Sequence, residues 1–189
     1  MKPSNCISVA LYLVASPLLF ADDQPGLTAT YSFSAHATGP FIISPVTATV
    51  VRDDQLMLFS SVLPFPLTAG YVQGFDNLAI PTFPARFFDG TFAWFGEGGD
   101  ALFGTVTVQT SLFTDPVNPA TGDFFGSEDF TGTFQIMGGT GRYLNASGSG
   151  SYSAHSDYRP PTLPGTLFSG STTVTVTGGV TVAVNQGDH

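Results

Sequence analysis

The stretch Val174-Thr-Val-Thr-Gly-Gly-Val-Thr-Val-Ala-Val184 decides the fold, because it admits two readings that lead to different molecules. Gly178-Gly179 has the composition of a two-residue hairpin turn. A hairpin there would pair Val176 with Thr181 and Thr175 with Val182, mixing valine and threonine on each face. Read as one strand, Val174, Val176, Val180, Val182 and Val184 share a face. That alternation is what a half-buried strand requires, so the segment is one long strand, bent or bulged at its glycines.

The same period recurs upstream. Leu27, Ala29, Tyr31, Phe33, Ala35 and Ala37 alternate with Thr28, Thr30, Ser32, Ser34 and His36, giving a first strand over Leu27 to Ala37. Pro40 and Pro45 are expected to bracket a break before a second strand, Val46 to Val51. The run Arg52-Asp-Asp-Gln55 reads as a turn, with Asp53 and Asp54 capping it. Leu56 to Leu63 is apolar nearly throughout and reads as a central strand. Pro64 to Pro84 carries one strand between loops. Arg86 to Phe95 and Ala101 to Leu112 form a hairpin around Gly96-Glu-Gly-Gly-Asp100, whose glycines tolerate positive φ and whose Glu97 and Asp100 read as solvated turn residues. Asp129 to Met137 and Arg142 to Ala154 form another around Gly138-Gly139-Thr140-Gly141, a structural turn. Tyr158 to Pro164 is a proline-rich link.

Glycine falls inside strands in Phe88-Asp-Gly-Thr91, Leu102-Phe-Gly-Thr105, Phe130-Thr-Gly-Thr133 and Phe168-Ser-Gly-Ser171. Glycine there weakens a strand but permits strong curvature. About eight strands, no helical period and repeated curvature predict an all-β, eight-stranded antiparallel barrel, which leaves no exposed edge. A two-sheet sandwich satisfies the same spacing.

The segment Phe130-Thr-Gly-Thr-Phe-Gln-Ile-Met-Gly-Gly-Thr-Gly-Arg-Tyr-Leu-Asn-Ala-Ser-Gly-Ser-Gly150 resembles the Gly-Gly-Thr-Gly-Arg-aromatic hairpin of allene oxide cyclase barrel-like proteins, bacterial exported relatives of plant allene oxide cyclases and dirigent proteins. Asp89-Gly-Thr-Phe-Ala-Trp94 with Gly99-Asp-Ala-Leu-Phe-Gly-Thr105 is similar to their preceding hairpin. The matching stretches span residues 88 to 154. The resemblance implies a calycin-like barrel able to hold an apolar molecule. It assigns no catalytic residue, because no motif here marks the acidic position those cyclases use.

The start of the chain predicts a secretory leader: Lys2 precedes an apolar run from Ile7 to Phe20, shorter than the roughly 20 residues that span a bilayer, and Ala21 precedes Asp22-Asp23. Cleavage after Ala21 leaves one domain, residues 22–189, with no cysteine, since Cys6 lies in the leader. Localisation is then secreted or periplasmic, without stable membrane insertion. Only Arg52, Arg86, Arg142 and Arg159 would remain against 14 acidic residues, a net charge of −10. Such a chain is repelled by phosphate backbones and anionic lipid, so nucleic acid is not an expected partner.

Candidate chemistry is sparse. His36 and His155 fit no metal-ligand spacing, and no metal or cofactor is assigned. Asp115, Asn118, Asp123, Glu128 and Asp129 offer oxygen atoms for Ca²⁺ in a Gly-rich loop but match no known loop spacing. Gly148-Ser-Gly-Ser-Tyr152 departs from a nucleophile elbow. Phe75, Phe83, Phe87 and Phe88 lie in a proline-rich region and are the candidate ligand-binding residues at a barrel mouth, with core packing as the simpler account. Asn145-Ala-Ser147 is a formal glycosylation triplet. Three functions follow: a carrier of a small apolar or aromatic ligand, a cyclase or isomerase, or a structural module with a filled barrel. Nothing in the residue pattern sets an oligomeric state.

Overall fold

The computed structural model describes residues 27–63, 66–77, 88–114, 126–160 and 163–183. Eight strands follow one another: β1 Thr28–Pro45, β2 Val50–Leu63, β3 Leu67–Asn77, β4 Phe88–Gly96, β5 Ala101–Thr114, β6 Ser127–Thr140, β7 Ser147–Arg159 and β8 Phe168–Ala183. Each pairs antiparallel with the next, and β8 returns to β1, so the sheet closes as a barrel. Closure rules out the sandwich. The leader expected over residues 1–21 lies outside the described residues. The 189-residue chain includes Cys6, which corrects the expectation of a cysteine-free chain; that expectation presupposed loss of the leader.

β8 is one strand through Gly178-Gly179, with Val174, Val176, Val180 and Val182 all buried. Two expectations upstream are corrected. β1 runs on through Pro40, which stands opposite Ser171 of β8, while the β1–β2 pairing skips Gly39 and Pro40. A proline without an N–H is tolerated where one ladder is already open. The Arg52-Asp-Asp-Gln55 run is the body of β2 and no turn: Asp53 and Gln55 are buried, while Arg52 and Asp54 face outward. The turn is Val46 to Thr49, where the Thr47 hydroxyl accepts from the backbone N–H of Val50 at 3.0 Å.

The half of the lumen nearer the turn between β4 and β5, the lower half, is packed with rings. Trp94 stands against Phe92, Phe134, Phe59 and Phe33 with centroids 4.4, 5.4, 5.7 and 5.9 Å away. Such pairs contribute about 0.5–1.5 kcal/mol each beyond burial. The strand glycines make room for them. A Cβ on Gly150 would lie 2.5 Å from the Phe134 ring, and one on Gly132 would lie 2.5 Å from the ring of Tyr152.

The tight turns seal the lower end. Gly98 and Gly99 take positive φ between β4 and β5, and Gly141 takes φ 60° after β6. Asp100 accepts from the backbone N–H of Arg142 at 3.0 Å and from its guanidinium, joining the two turns. Those bonds, the backbone one foremost, hold the Asp100 carboxyl below its usual range. Asp100 is therefore an 8% exposed tether, correcting its reading as a solvated turn residue. Tyr143, next to Arg142 in the chain and 1% exposed, belongs to the core.

Candidate functional site

The upper lumen is built differently. A cavity of about 60 Å³, partly open to solvent, lies among Phe41, Met57, Phe92, Val108, Phe130 and Val176, with Asp53, Gln55, Glu128 and Ser156 also on its wall. That is room for roughly four waters.

Glu128 follows from strand phase. It shares the inward face of β6 with Phe130, Phe134 and Ile136, and is 2% exposed. The Ser111 hydroxyl donates to its Oε1, and the Tyr158 hydroxyl donates to its Oε2 at 2.5 Å. Charge-assisted bonds of this kind are what make a buried carboxylate tolerable.

Ser111 reaches Glu128 because β5 is bulged. Val106 and Val108 face inward, so unbroken alternation would turn Thr110 in and Ser111 out. The register slips between Val108 and Thr110, leaving Thr110 exposed and Ser111 buried. A bulge re-aims every side chain beyond it. Outside the wall, Thr110 and Thr131 pair hydroxyl to hydroxyl at 2.5 Å.

A second polar pair faces the same space. Gln55 Nε2 donates to Asp53 Oδ2 at 3.1 Å, both residues being buried. Ser156 and Thr172 share a hydrogen bond of 2.7 Å. Tyr152 donates to the carbonyl of Thr107 at 3.2 Å. Burial, and after it the charge of Glu128, pushes the Tyr152 phenol up, so it stays a protonated donor at neutral pH.

The residues singled out in the sequence fall elsewhere. Phe75 is 49% exposed on the outer wall of β3, between Arg52 and Asp89. Phe88 opens β4 opposite Asp76. The side chain of Phe88, and all of Phe83 and Phe87, lie outside the described residues. Gly138, Gly139 and Thr140 belong to β6, and Gly141 makes the turn.

His36 faces outward and bonds Thr175 at 3.0 Å. His155 faces outward too, 2.7 Å from Asp129 and 3.5 Å from Asp157. Glu128 and Asp129 belong to β6 and point to opposite sides of the wall, correcting their place in a common Ca²⁺ loop; Asp115, Asn118 and Asp123 lie outside the described residues. Among the described residues no group of three His, Cys, Asp or Glu side chains could hold a metal ion.

Sequence reasoning put Glu128 in a loop and Asp53 in a turn, and so missed both as residues of the lumen. The signal was a carboxylate in phase with core residues: Glu128 with Phe130 and Phe134, Asp53 with Val51 and Met57. Comparison with family models, curated proteins and solved structures returns no match for this chain. The barrel and its lumen therefore carry the functional argument.

Proposed function

We propose that this is an exported barrel protein that binds a small, largely apolar molecule in its upper lumen and orients it through a hydrogen bond to Glu128. The observation that carries this reading is the meeting of an apolar cavity with a buried carboxylate whose two oxygens are already held by Ser111 and Tyr158. Glu128, Gln55 and Ser156 set a few polar groups into an otherwise apolar wall, the combination that orients a small ligand. A small molecule enters the cavity of about 60 Å³. A larger molecule extends through the open side. The apolar run at residues 7–20 supports export, and the resemblance of residues 130–150 to allene oxide cyclase barrel-like proteins supports an apolar ligand.

Thermal shift and native mass spectrometry with small phenols and alcohols test the reading. Binding at a hundredfold excess over Kd stabilises the fold by about 2.7 kcal/mol. Glu128→Gln is expected to weaken hydroxylated ligands and spare isosteric hydrocarbons. A panel in which no compound stabilises the wild type overturns the proposal.

A cyclase or isomerase is the second reading, favoured by the same carboxylate at the edge of an apolar space, where proton transfer is shielded from water. Turnover of a bound unsaturated ligand, lost in Glu128→Gln with binding retained, separates it from simple carriage. The aromatic packing below Trp94 supports the third reading, a filled structural barrel, only for the lower half.

A further inference from the structure

The outer wall of the barrel is two-sided. From Ser149 to Ser153 on β7, and at Thr173 and Thr177 on β8, the outward positions are small, hydroxylated and exposed, with the ionisable residues His155, Asp157 and Arg159 following at the far end of β7. Over β2 to β6 the chain does something else. Leu56, Leu58, Tyr71, Phe95, Phe103 and Met137 are 48, 56, 38, 44, 42 and 65% exposed.

Register makes these six side chains one surface. Leu56, Tyr71, Ala93 and Phe103 stand side by side across four strands, and Leu58, Ala69, Phe95 and Ala101 form the adjacent row. Met137 adjoins Phe103 where the β5–β6 register slips. The Phe103 ring lies over Gly138, where an added Cβ would come within 2.7 Å of it. The next row up is wholly polar: Asp54, Gln73, Thr91, Thr105 and Gln135. Tyr71 marks the border, its hydroxyl donating to Asp54 at 2.5 Å while its ring belongs to the apolar rows.

We propose that this band is the contact face between two copies of the chain. Taking about 200 Å² for each large side chain, the band exposes roughly 600 Å². That is at the top of what a monomer leaves in one patch, and near the roughly 800 Å² per partner of a stable interface. Neither apolar row contains an ionised side chain, which allows a chain of net charge −9 to meet its own copy there. Contact surfaces between identical chains are apolar and charge-poor at their centres. A lipid surface fits less well, because the band occupies one side of an acidic chain. Closure leaves no strand edge to extend, so the copies meet wall to wall.

Sedimentation of the full chain from low to high micromolar concentration tests this. The wild type is expected to sediment as a dimer or larger assembly. Phe95→Thr and Phe103→Thr, which suit a strand, are expected to raise the dissociation constant about tenfold or more, as loss of a central aromatic does. Ser151→Asp, on the hydroxylated wall, is expected to leave it unchanged. Should either phenylalanine variant fail to fold, Met137→Thr at the most exposed of the six positions carries the same test. A wild type that stays monomeric throughout overturns the proposal. So does association that survives the substitutions, since it is then seated elsewhere, and so does a monomer that instead co-sediments with neutral phosphatidylcholine vesicles.

Discussion

Tyr158 and Glu128 meet inside the lumen from neighbouring strands, the phenol of β7 donating to the carboxylate of β6 at 2.5 Å. Both are buried, so the bond is made away from water. Tyr158→Phe removes the donor and leaves the carboxylate short of one partner. The expected cost is about 1–3 kcal/mol, read as a lower urea midpoint with an unchanged slope. An unaltered midpoint would show that the bond contributes nothing to stability.

Gly150 lies under Phe134 and opposite Gly178. An alanine methyl there would come 2.5 Å from the ring and 2.1 Å from the carbonyl oxygen of Thr177, and the carbonyl cannot swing away as a side chain can. Gly150→Ala is expected to destabilise by about 1–3 kcal/mol through overpacking. Differential scanning calorimetry against wild type decides it; a raised Tm would mean the wall has slack.

His155 sits between Asp129 and Asp157 on the outer wall. The hydrogen bond that the ring donates to Asp129, reinforced by both carboxylate charges, outweighs desolvation and raises its pKa. The stabilisation is fully present below the unfolded value near 6.5 and is lost as pH rises through the higher folded value. The ring is about half exposed, so the effect is under about 1 kcal/mol. Stability measured from pH 6 to 8 is expected to fall slightly in wild type and to lose that slope in His155→Gln.

Arg142 keeps Asp100 ionised below the usual carboxylate range, chiefly through its backbone N–H. This contribution is present above the unfolded value of 3.8 and is lost as pH falls through the lower folded value. Arg142→Met keeps the backbone donor and removes the guanidinium. Acid unfolding, followed by Trp94 fluorescence, is therefore expected to move to higher pH; an unmoved midpoint assigns the whole effect to the backbone bond.

The barrel was legible in the valine phase of β8 and in the paired turns around Gly98 and Gly141, because those features are local. Arg52 to Gln55 was misread because four polar residues in a row resemble a turn, and only the neighbouring strand shows that alternate ones point inward. Pro40 misled for a related reason: whether a missing N–H matters depends on which ladder it would have joined. The site was less accessible still. Glu128 carried a phase signal, but Ser111 reaches it through a bulge that neither residue type announces, and the pairing with Tyr158 spans 30 positions.

The β8–β1 seam joins Thr28 to Ala183 and runs without interruption to Ile43 and Phe168. During synthesis β1 leaves the ribosome first and β8 last, so the opening strand must wait for almost the whole domain before its second neighbour exists. Contacts this distant in sequence make for slow folding. A chain stopped before Phe168 would leave β1 and β7 each with a bare flank, ready to capture a strand from another nascent molecule.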